Sequence, residues 1–277
     1  MTSKQNLHDS ERAFHDDWAQ SETCDSINVE AAFEAITAPE NKWICKILGD
    51  VKGKTLLDVG TGLGESAIYF SRLGAQVSAV DISPKMVELC LKNAQRCGVT
   101  LSAKVSTAED LGMAENTFDI VYAANLLHHV QDREQFLRNV YKILKPGGTF
   151  VAWDPLKYNP AINVYRRKAT EVRTPDERPL GIGDLRQVKA FFPDHQYKTF
   201  WLASLLIFLK YYYVDGKDPN RERYWKVILT ETESSIGWWF RCANLFDKVL
   251  LSLPGVKLLA WNVVQWGRKP LTLETQA

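Results

Sequence analysis

From Lys54 onward, short apolar runs alternate with stretches whose apolar residues recur at helical spacing. Thr55-Leu-Leu-Asp-Val-Gly60 reads as a first strand entering a glycine-rich turn. The following stretch, with Ala67, Phe70 and Leu73 near one face and Gly74 as its stop, predicts a helix. Gln76 to Val80 predicts a second strand ending at Asp81. Pro84 opens a helix that runs to about Cys97 and stops at Gly98. Leu101 to Ser106 and Phe118 to Ala124 predict the third and fourth strands, and Arg133 to Leu144 a crossover helix. Lys145-Pro-Gly-Gly148 reads as a turn before a fifth strand, Thr149 to Trp153. Such βα alternation predicts an α/β fold with a doubly wound, mostly parallel sheet, whose ligands bind at the strand C-terminal ends.

Residues 151–277 differ in character, holding 20 of the 31 aromatic residues. Asp184 to Phe192 reads as a helix, Tyr197 to Leu202 as a sixth strand and Val256 to Gln265 as a seventh. Two insertions remain, Pro155 to Gly183 and Ser204 to about Pro254, and the second is mostly helical in pattern. Residues 1–50 read as a helical cover ahead of the sheet. The expected organisation is therefore one domain, 51–277, with a helical lid supplied by the insertions.

Composition excludes more than it identifies. A net charge of +1 provides no general attraction for polyanions, so a nucleic-acid partner is not expected. Cys24, Cys45, Cys90, Cys97 and Cys242 form no CxxC pair, which fits reduced cytosolic thiols better than a zinc or disulfide framework. The polar N-terminus lacks the apolar core of a signal peptide. The longest apolar run, Phe200 to Val214, is broken by Lys210 and is short for a bilayer span. A cytoplasmic protein is expected, with peripheral membrane contact left open.

The chemistry begins at Gly60-Thr61-Gly62-Leu63-Gly64. Glycines at alternate positions let the backbone turn sharply and approach a ligand where a Cβ would collide. Their GxGxG spacing differs from the GxGxxG suited to a dinucleotide pyrophosphate, which argues against a dehydrogenase. Asp81, 17 residues after Gly64, stands where a strand-end carboxylate can accept both hydroxyl protons of a ribose. The alternative is a solvated N-cap residue before Ser83-Pro84.

LLDVGTGLGESAIYF, VSAVDISPKMV, the AEDL segment, FDIVYAANLLHHV and LKPGGTF together resemble successive motifs of the class I S-adenosylmethionine-dependent methyltransferases over about Lys54 to Trp153. The resemblance implies a seven-stranded sheet of order 3-2-1-4-5-7-6 with its seventh strand antiparallel. It places Asp58, Gly60, Thr61, Gly62 and Gly64 against the methionine part of the cofactor, S-adenosylmethionine. Asp81 would hold the ribose, with Ile82 and Met86 against the adenine, although Met86 reads equally well as helix core. Thr107, Ala108 and Glu109 would meet the adenine edge. Many relatives carry Asp where this chain has Thr107, which shifts the polar contact to Glu109 or to backbone. Asn125 would reach the methionine amino group, and Trp18 would belong to an N-terminal cover.

His128 and His129 follow in a loop that the resemblance sets beside the transferring methyl. A histidine there can remove a proton from a hydroxyl or amine acceptor, unless the pair only packs the loop. His15 is a third candidate base. No metal is required, and the sequence shows no ligand cluster for one. Asp154 and Tyr158 emerge beside the predicted acceptor site. Arg166 and Arg173 belong to a run with six basic and three acidic residues between Lys157 and Arg178, either an anion-binding patch or a solvated face. Trp201, Leu205, Leu206, Phe208, Tyr211 to Tyr213, Trp225 and Trp238 to Phe240 could line a hydrophobic pocket, form the core of a cap, or touch a membrane. The function implied is methyl transfer to a small molecule, apolar or amphiphilic. RNA or protein methylation, and cofactor binding without catalysis, are the alternatives; the Ala-Asn-Leu-Leu-His segment lacks the Asn/Asp-Pro-Pro-Tyr pattern of adenine or glutamine methylation.

Overall fold

A computed structural model describes residues 3–22, 27–171, 173–174, 177–231 and 233–271. Cys24 and the Trp225 side chain lie outside the described residues. Helices α1 (Ser3–Ser21), α2 (Val29–Glu34) and α3 (Pro39–Leu48) precede the sheet. Then β1 (Thr55–Val59), α4 (Glu65–Arg72), β2 (Gln76–Asp81), α5 (Pro84–Arg96), β3 (Ser102–Val105) and β4 (Phe118–Ala124) alternate. They are followed by α6 (Arg133–Ile143), β5 (Leu144–Pro155), α7 (Pro160–Lys168), α8 (Ile182–Phe191) and β6 (Gln196–Phe200). Short helices α9 (Leu206–Leu209) and α10 (Tyr224–Val227), the longer α11 (Glu233–Leu250) and β7 (Asn262–Arg268) complete the chain.

The seven strands lie in the order β3-β2-β1-β4-β5-β7-β6, with β7 antiparallel to both its neighbours. The mostly parallel doubly wound sheet is as expected. Alternation explains its two covered faces. Leu57, Val59, Val121 and Phe150 pack against Phe136, Leu137 and Val140 of α6 and Leu185 and Val188 of α8. The intervening residues Leu56, Ile120, Tyr122 and Val151 meet Phe33, Ile44, Leu48 and Phe70 from α2, α3 and α4. Ser83 caps α5 by accepting the Met86 N–H at 3.0 Å, with Pro84 in the first turn.

Three boundaries differ from the sequence reading. Lys145 to Gly148 is not a separate turn but lies within β5, which begins by pairing Leu144 with Phe118 and shifts register before Ile120 meets Thr149. Val256 to Leu259 forms a 3-10 turn, so β7 starts only at Asn262 and runs on to Arg268. β6 ends at Phe200, because Trp201 takes a left-handed conformation (φ 68°) that breaks the extended chain.

Beyond β6 the cap has its own core, in which Trp201, Phe208, Tyr211, Tyr224 and Phe240 are buried together. Asp247 of α11 ties it to the sheet. Its carboxylate accepts the backbone N–H groups of Leu202, Ala203 and Ser204 and the Ser204 hydroxyl. The aromatic density is thus largely cap core. No described helix is long and apolar enough to cross a membrane.

Candidate active site

The glycine turn leaves β1 with three positive φ angles, 74° at Gly60, 54° at Gly62 and 93° at Gly64. Gly60 and Thr61 both donate backbone N–H groups to Val80 O, which holds the turn over the end of β2. There Asp81, nearly buried, accepts the Gly62 N–H at 2.9 Å on one carboxylate oxygen and the Ser83 N–H at 3.0 Å on the other. Burial pushes this carboxyl up, and the charge of His15 with the surrounding backbone donors works against that push. Each oxygen keeps a further lone pair for a ligand hydroxyl.

A cavity of about 350 Å³ opens at this edge of the sheet. Gly60, Thr61, Gly62, Asp81 and Ile82 line it, together with Ala108, Glu109 and Asn125. Asn125 has a positive φ of 53°, and its N–H donates to Trp153 O at 2.7 Å, so the chain bends there toward the cavity mouth. His15, Trp18, His128, His129, Arg166 and Arg173 also reach the wall. The structure therefore gathers most of the expected residues from seven separate segments.

Six do not reach it. Asp58 is buried beneath the turn, where it accepts the Thr61 hydroxyl at 2.7 Å, and burial pushes its carboxyl up to about 7. It shapes the turn from behind. Gly64 starts α4 against α5, since a Cβ there would stand 2.7 Å from Cys90 Sγ. Met86 is core, fully buried with Leu63 and Ala19. Thr107 faces a separate shallow pocket, its hydroxyl accepting the Asp110 N–H at 3.1 Å. Tyr158 turns away to accept the Ile182 N–H at 3.0 Å. Asp154 stands behind His128 rather than on the wall. Glu109 does reach the cavity, but one carboxylate oxygen is engaged by the Gln131 and Asp132 N–H groups, which brace the loop after β4.

The two adjacent histidines have different surroundings. His128 is buried, and Asp154 Oδ1 accepts both its backbone N–H (3.1 Å) and its ring Nδ1 (2.9 Å). Burial first, then the charges of His129, Arg166 and Arg173, push the His128 pKa well down, so the ring is neutral. Burial pushes Asp154 up to about 7. With Nδ1–H donated to Asp154, Nε2 is the nitrogen left with a lone pair. His129 instead turns to the lid, with Nδ1 2.7 Å from Glu11 Oε1.

Glu11, which the sequence reading missed, joins α1 to this loop. His15 Nε2 lies 3.0 Å from the same oxygen. Burial opposes the charge on Glu11, but the hydrogen bonds of His129 and His15 together outweigh it and hold the carboxyl well below its usual range. The Glu11–His15 spacing of four residues on a helix was a visible signal; their meeting with His129, from a distant loop, was not. Donor atoms of Glu11, His15 and His129, and of His128, His129 and Glu177, lie within 4.8 Å of one another, although no such cluster was expected. At its other end α1 is held to the cap. The Trp18 indole donates to Glu22 at 2.6 Å, Lys226 pairs with Glu22 at 2.5 Å, and the Arg223 guanidinium lies 4.2 Å from the Trp18 ring centre.

The methyltransferase domain family matches residues 57–152. The ubiquinone biosynthesis O-methyltransferase of Methylocella silvestris is 35% identical over 102 residues, 37% of this chain and 40% of that protein. Its counterpart from Caulobacter vibrioides is 40% identical over 104 residues, 36% and 41% of the two chains. The chain thus spans about two fifths of the length of the curated relatives it matches. Among solved structures, a Haloferax volcanii chain from a complex with the Trm112 methyltransferase activator superposes with a TM-score of 0.56 at 17% identity, covering 94% of this chain and 97% of its own. The [4+2]-cyclase SpnF gives 0.52 at 17% identity, covering 84% and 82%. These structures establish likeness of fold, and the cyclase shows that the fold alone does not fix the reaction. Residues 57–152 match the methyltransferase domain family, whose cofactor is S-adenosylmethionine, and the seven-stranded sheet built around them has the class I fold.

Proposed function

We propose that this protein transfers the methyl group of S-adenosylmethionine to a small-molecule acceptor with a sizeable apolar body. One observation carries the reading: the glycine turn and Asp81 share a single cavity with the neutral His128 of a buried His128–Asp154 pair. The residues fit the cofactor, because Asp81 can take the ribose hydroxyls and the Gly60–Gly62 turn presents backbone without side chains. Ile82 and Ala108 offer apolar surface for the base, and Asn125 lines the same cavity and can meet the methionine end.

When bound, the sulfonium of S-adenosylmethionine supplies an electrophilic methyl. The protein's task is to orient the acceptor in line, exclude water and take a proton. Positioning of this kind can be worth an effective molarity on the order of 10⁵ M. His128 Nε2 accepts the proton of an acceptor hydroxyl or amine, while Asp154 fixes the ring through Nδ1. His15 and His129, both bonded to Glu11, hold the lid helix α1 closed. Phe33, Trp201 and Trp261 supply apolar lining, and Arg166 and Arg173 of the 155–183 insertion line the same cavity.

The acceptor reading extends to the surface. Helix α11 buries Ile236, Phe240 and Ala243 but exposes Trp238 (77%), Leu245, Phe246 and Val249, with Lys248 beside them. Tyr213 and Val214 are exposed on the same cap. A helix apolar on both faces suits a peripheral contact with an anionic membrane from which an apolar acceptor could be drawn.

Incubation of the protein with methyl-labelled cofactor and fractionated cell extract tests the reaction. Label should enter a low-molecular-weight, solvent-extractable product; label found only in RNA or protein, or in nothing, contradicts the reading.

A further inference from the structure

On the cavity wall stands a carboxylate for which methyl transfer itself has no use. Glu40 lies in the first turn of α3, directly after Pro39, and is 6% exposed. It lines the cavity together with Asn262, the first residue of β7, and the cap residues Trp201 and Trp261. Asn262 Nδ2 donates to Glu40 Oε1 at 2.6 Å, which fixes the orientation of the amide. Asn262 is 3% exposed, and its Oδ1 has no partner among the described residues. Two buried acceptor groups therefore converge on one part of the wall. No basic side chain pairs with Glu40 among the described residues, and burial, only partly offset by Asn262 and Trp201, pushes its carboxyl up to about 7.

A helix-start role does not account for this. Carboxylates that complement a helix N-terminus do so at the surface, for a small gain, and need no cavity. Burying a carboxylate without a counter-ion is costly, and a buried acceptor oxygen left unpaired adds to that cost. Both costs disappear when a ligand brings hydrogen-bond donors and positive charge. Trp201 and Trp261 on the same wall suit such a ligand, since aromatic side chains attract cations.

We propose, resting on the acceptor-cavity reading above, that Glu40 and Asn262 form a recognition subsite for a protonated amine carried by the acceptor. The ammonium donates to the Glu40 carboxylate and to Asn262 Oδ1, beside Trp201 and Trp261. A hydroxyl would satisfy one oxygen but leave the charge unmatched.

The test uses the full chain saturated with S-adenosylhomocysteine and a pair of probes of matched shape, phenethylamine and phenethyl alcohol. Calorimetry should show the amine binding about tenfold more tightly than the alcohol, the ratio expected from one charge-assisted hydrogen bond. Glu40→Gln preserves shape and should bring that ratio close to one, and Asn262→Leu should reduce it. Neither should change affinity for S-adenosylhomocysteine. Equal binding of the two probes, preference for the alcohol, binding of neither, or an amine preference that survives in Glu40→Gln would overturn the subsite. Failure of the unmodified chain to bind S-adenosylhomocysteine would instead contradict the proposed function, so the two failures are distinguishable.

Discussion

At the scale of single residues, the site depends on polar groups placed where water is scarce. In the proposed reaction, proton removal rests on the His128–Asp154 pair. His128→Gln should lower kcat by about 10²–10⁴ while leaving affinity for S-adenosylhomocysteine nearly unchanged. A fall in both together would assign His128 to cofactor binding instead. Glu40 makes a separate prediction about stability. Its carboxyl titrates near 4.5 when unfolded and about 7 when folded. The folded chain therefore holds this proton more tightly, and the associated stability is complete below about pH 4.5 and lost as pH rises through 7. Glu40→Gln removes that loss. Urea unfolding should show the variant gaining on the unmodified chain by up to about 3 kcal/mol between pH 4.5 and 8. A constant difference across that range would show that Glu40 is not buried as described. Asp58 and Asp154, pushed up to about 7 as well, are common to both proteins and cancel in the comparison.

Legibility from sequence also divides at this scale. Gly60, Gly62 and Asp81 were readable because a sharp backbone turn and a strand-end carboxylate leave marks at fixed spacing. Asp58, Gly64 and Met86 belong to the same motifs yet serve the turn and the core. Sequence spacing locates a motif without saying which side of the backbone each residue faces. Glu11, Glu40 and Asn262 left little signal, because their meaning comes from distant partners: His129, 118 positions from Glu11, and each other for Glu40 and Asn262, 222 positions apart.

At the scale of elements, the glycine turn and α4 are braced against α5. Gly64 combines a left-handed φ of 93° with a Cβ position 2.7 Å from Cys90 Sγ and 3.3 Å from Cys90 Cα. Gly64→Ala should therefore cost about 2–3 kcal/mol in urea unfolding, the sum of backbone strain and overpacking. Adding Cys90→Ala should return part of that loss; no return would place the whole cost in the backbone. Most strands and helices between Lys54 and Trp153 were legible because apolar runs and helical periods end at marks such as Gly60, Gly74 and Gly98, whereas the start of β5 at Leu144 carried no such mark. The ends of β6 and β7 were not. There the boundary is set by Trp201 in a left-handed conformation and by a 3-10 turn at Val256–Leu259, neither of which changes the hydrophobic pattern.

At the scale of the whole molecule, α1, the cap and the sheet edge enclose one cavity, and the cap turns an apolar face outward. Trp238→Glu with Phe246→Glu should reduce binding to vesicles of phosphatidylserine and phosphatidylcholine by at least about tenfold, since two large side chains lose their apolar contact. Unchanged sedimentation with vesicles would remove the membrane contact without touching the cavity. The aromatic excess of residues 151–277 foretold a cap, but sequence alone could not divide it between core and surface. Phe240 and Trp238 are two positions apart on one helix, one fully buried and the other 77% exposed.

The most direct measurement is calorimetric titration of the purified, folded chain with S-adenosylhomocysteine, beside Asp81→Ala. The unmodified chain should bind one equivalent, and the variant should bind more weakly by about 1–3 kcal/mol, the worth of hydrogen bonds to a charged group. No heat of binding in the unmodified chain, or equal affinity in a folded variant, would contradict the placement of the cofactor ribose on Asp81 and with it the reading of the cavity.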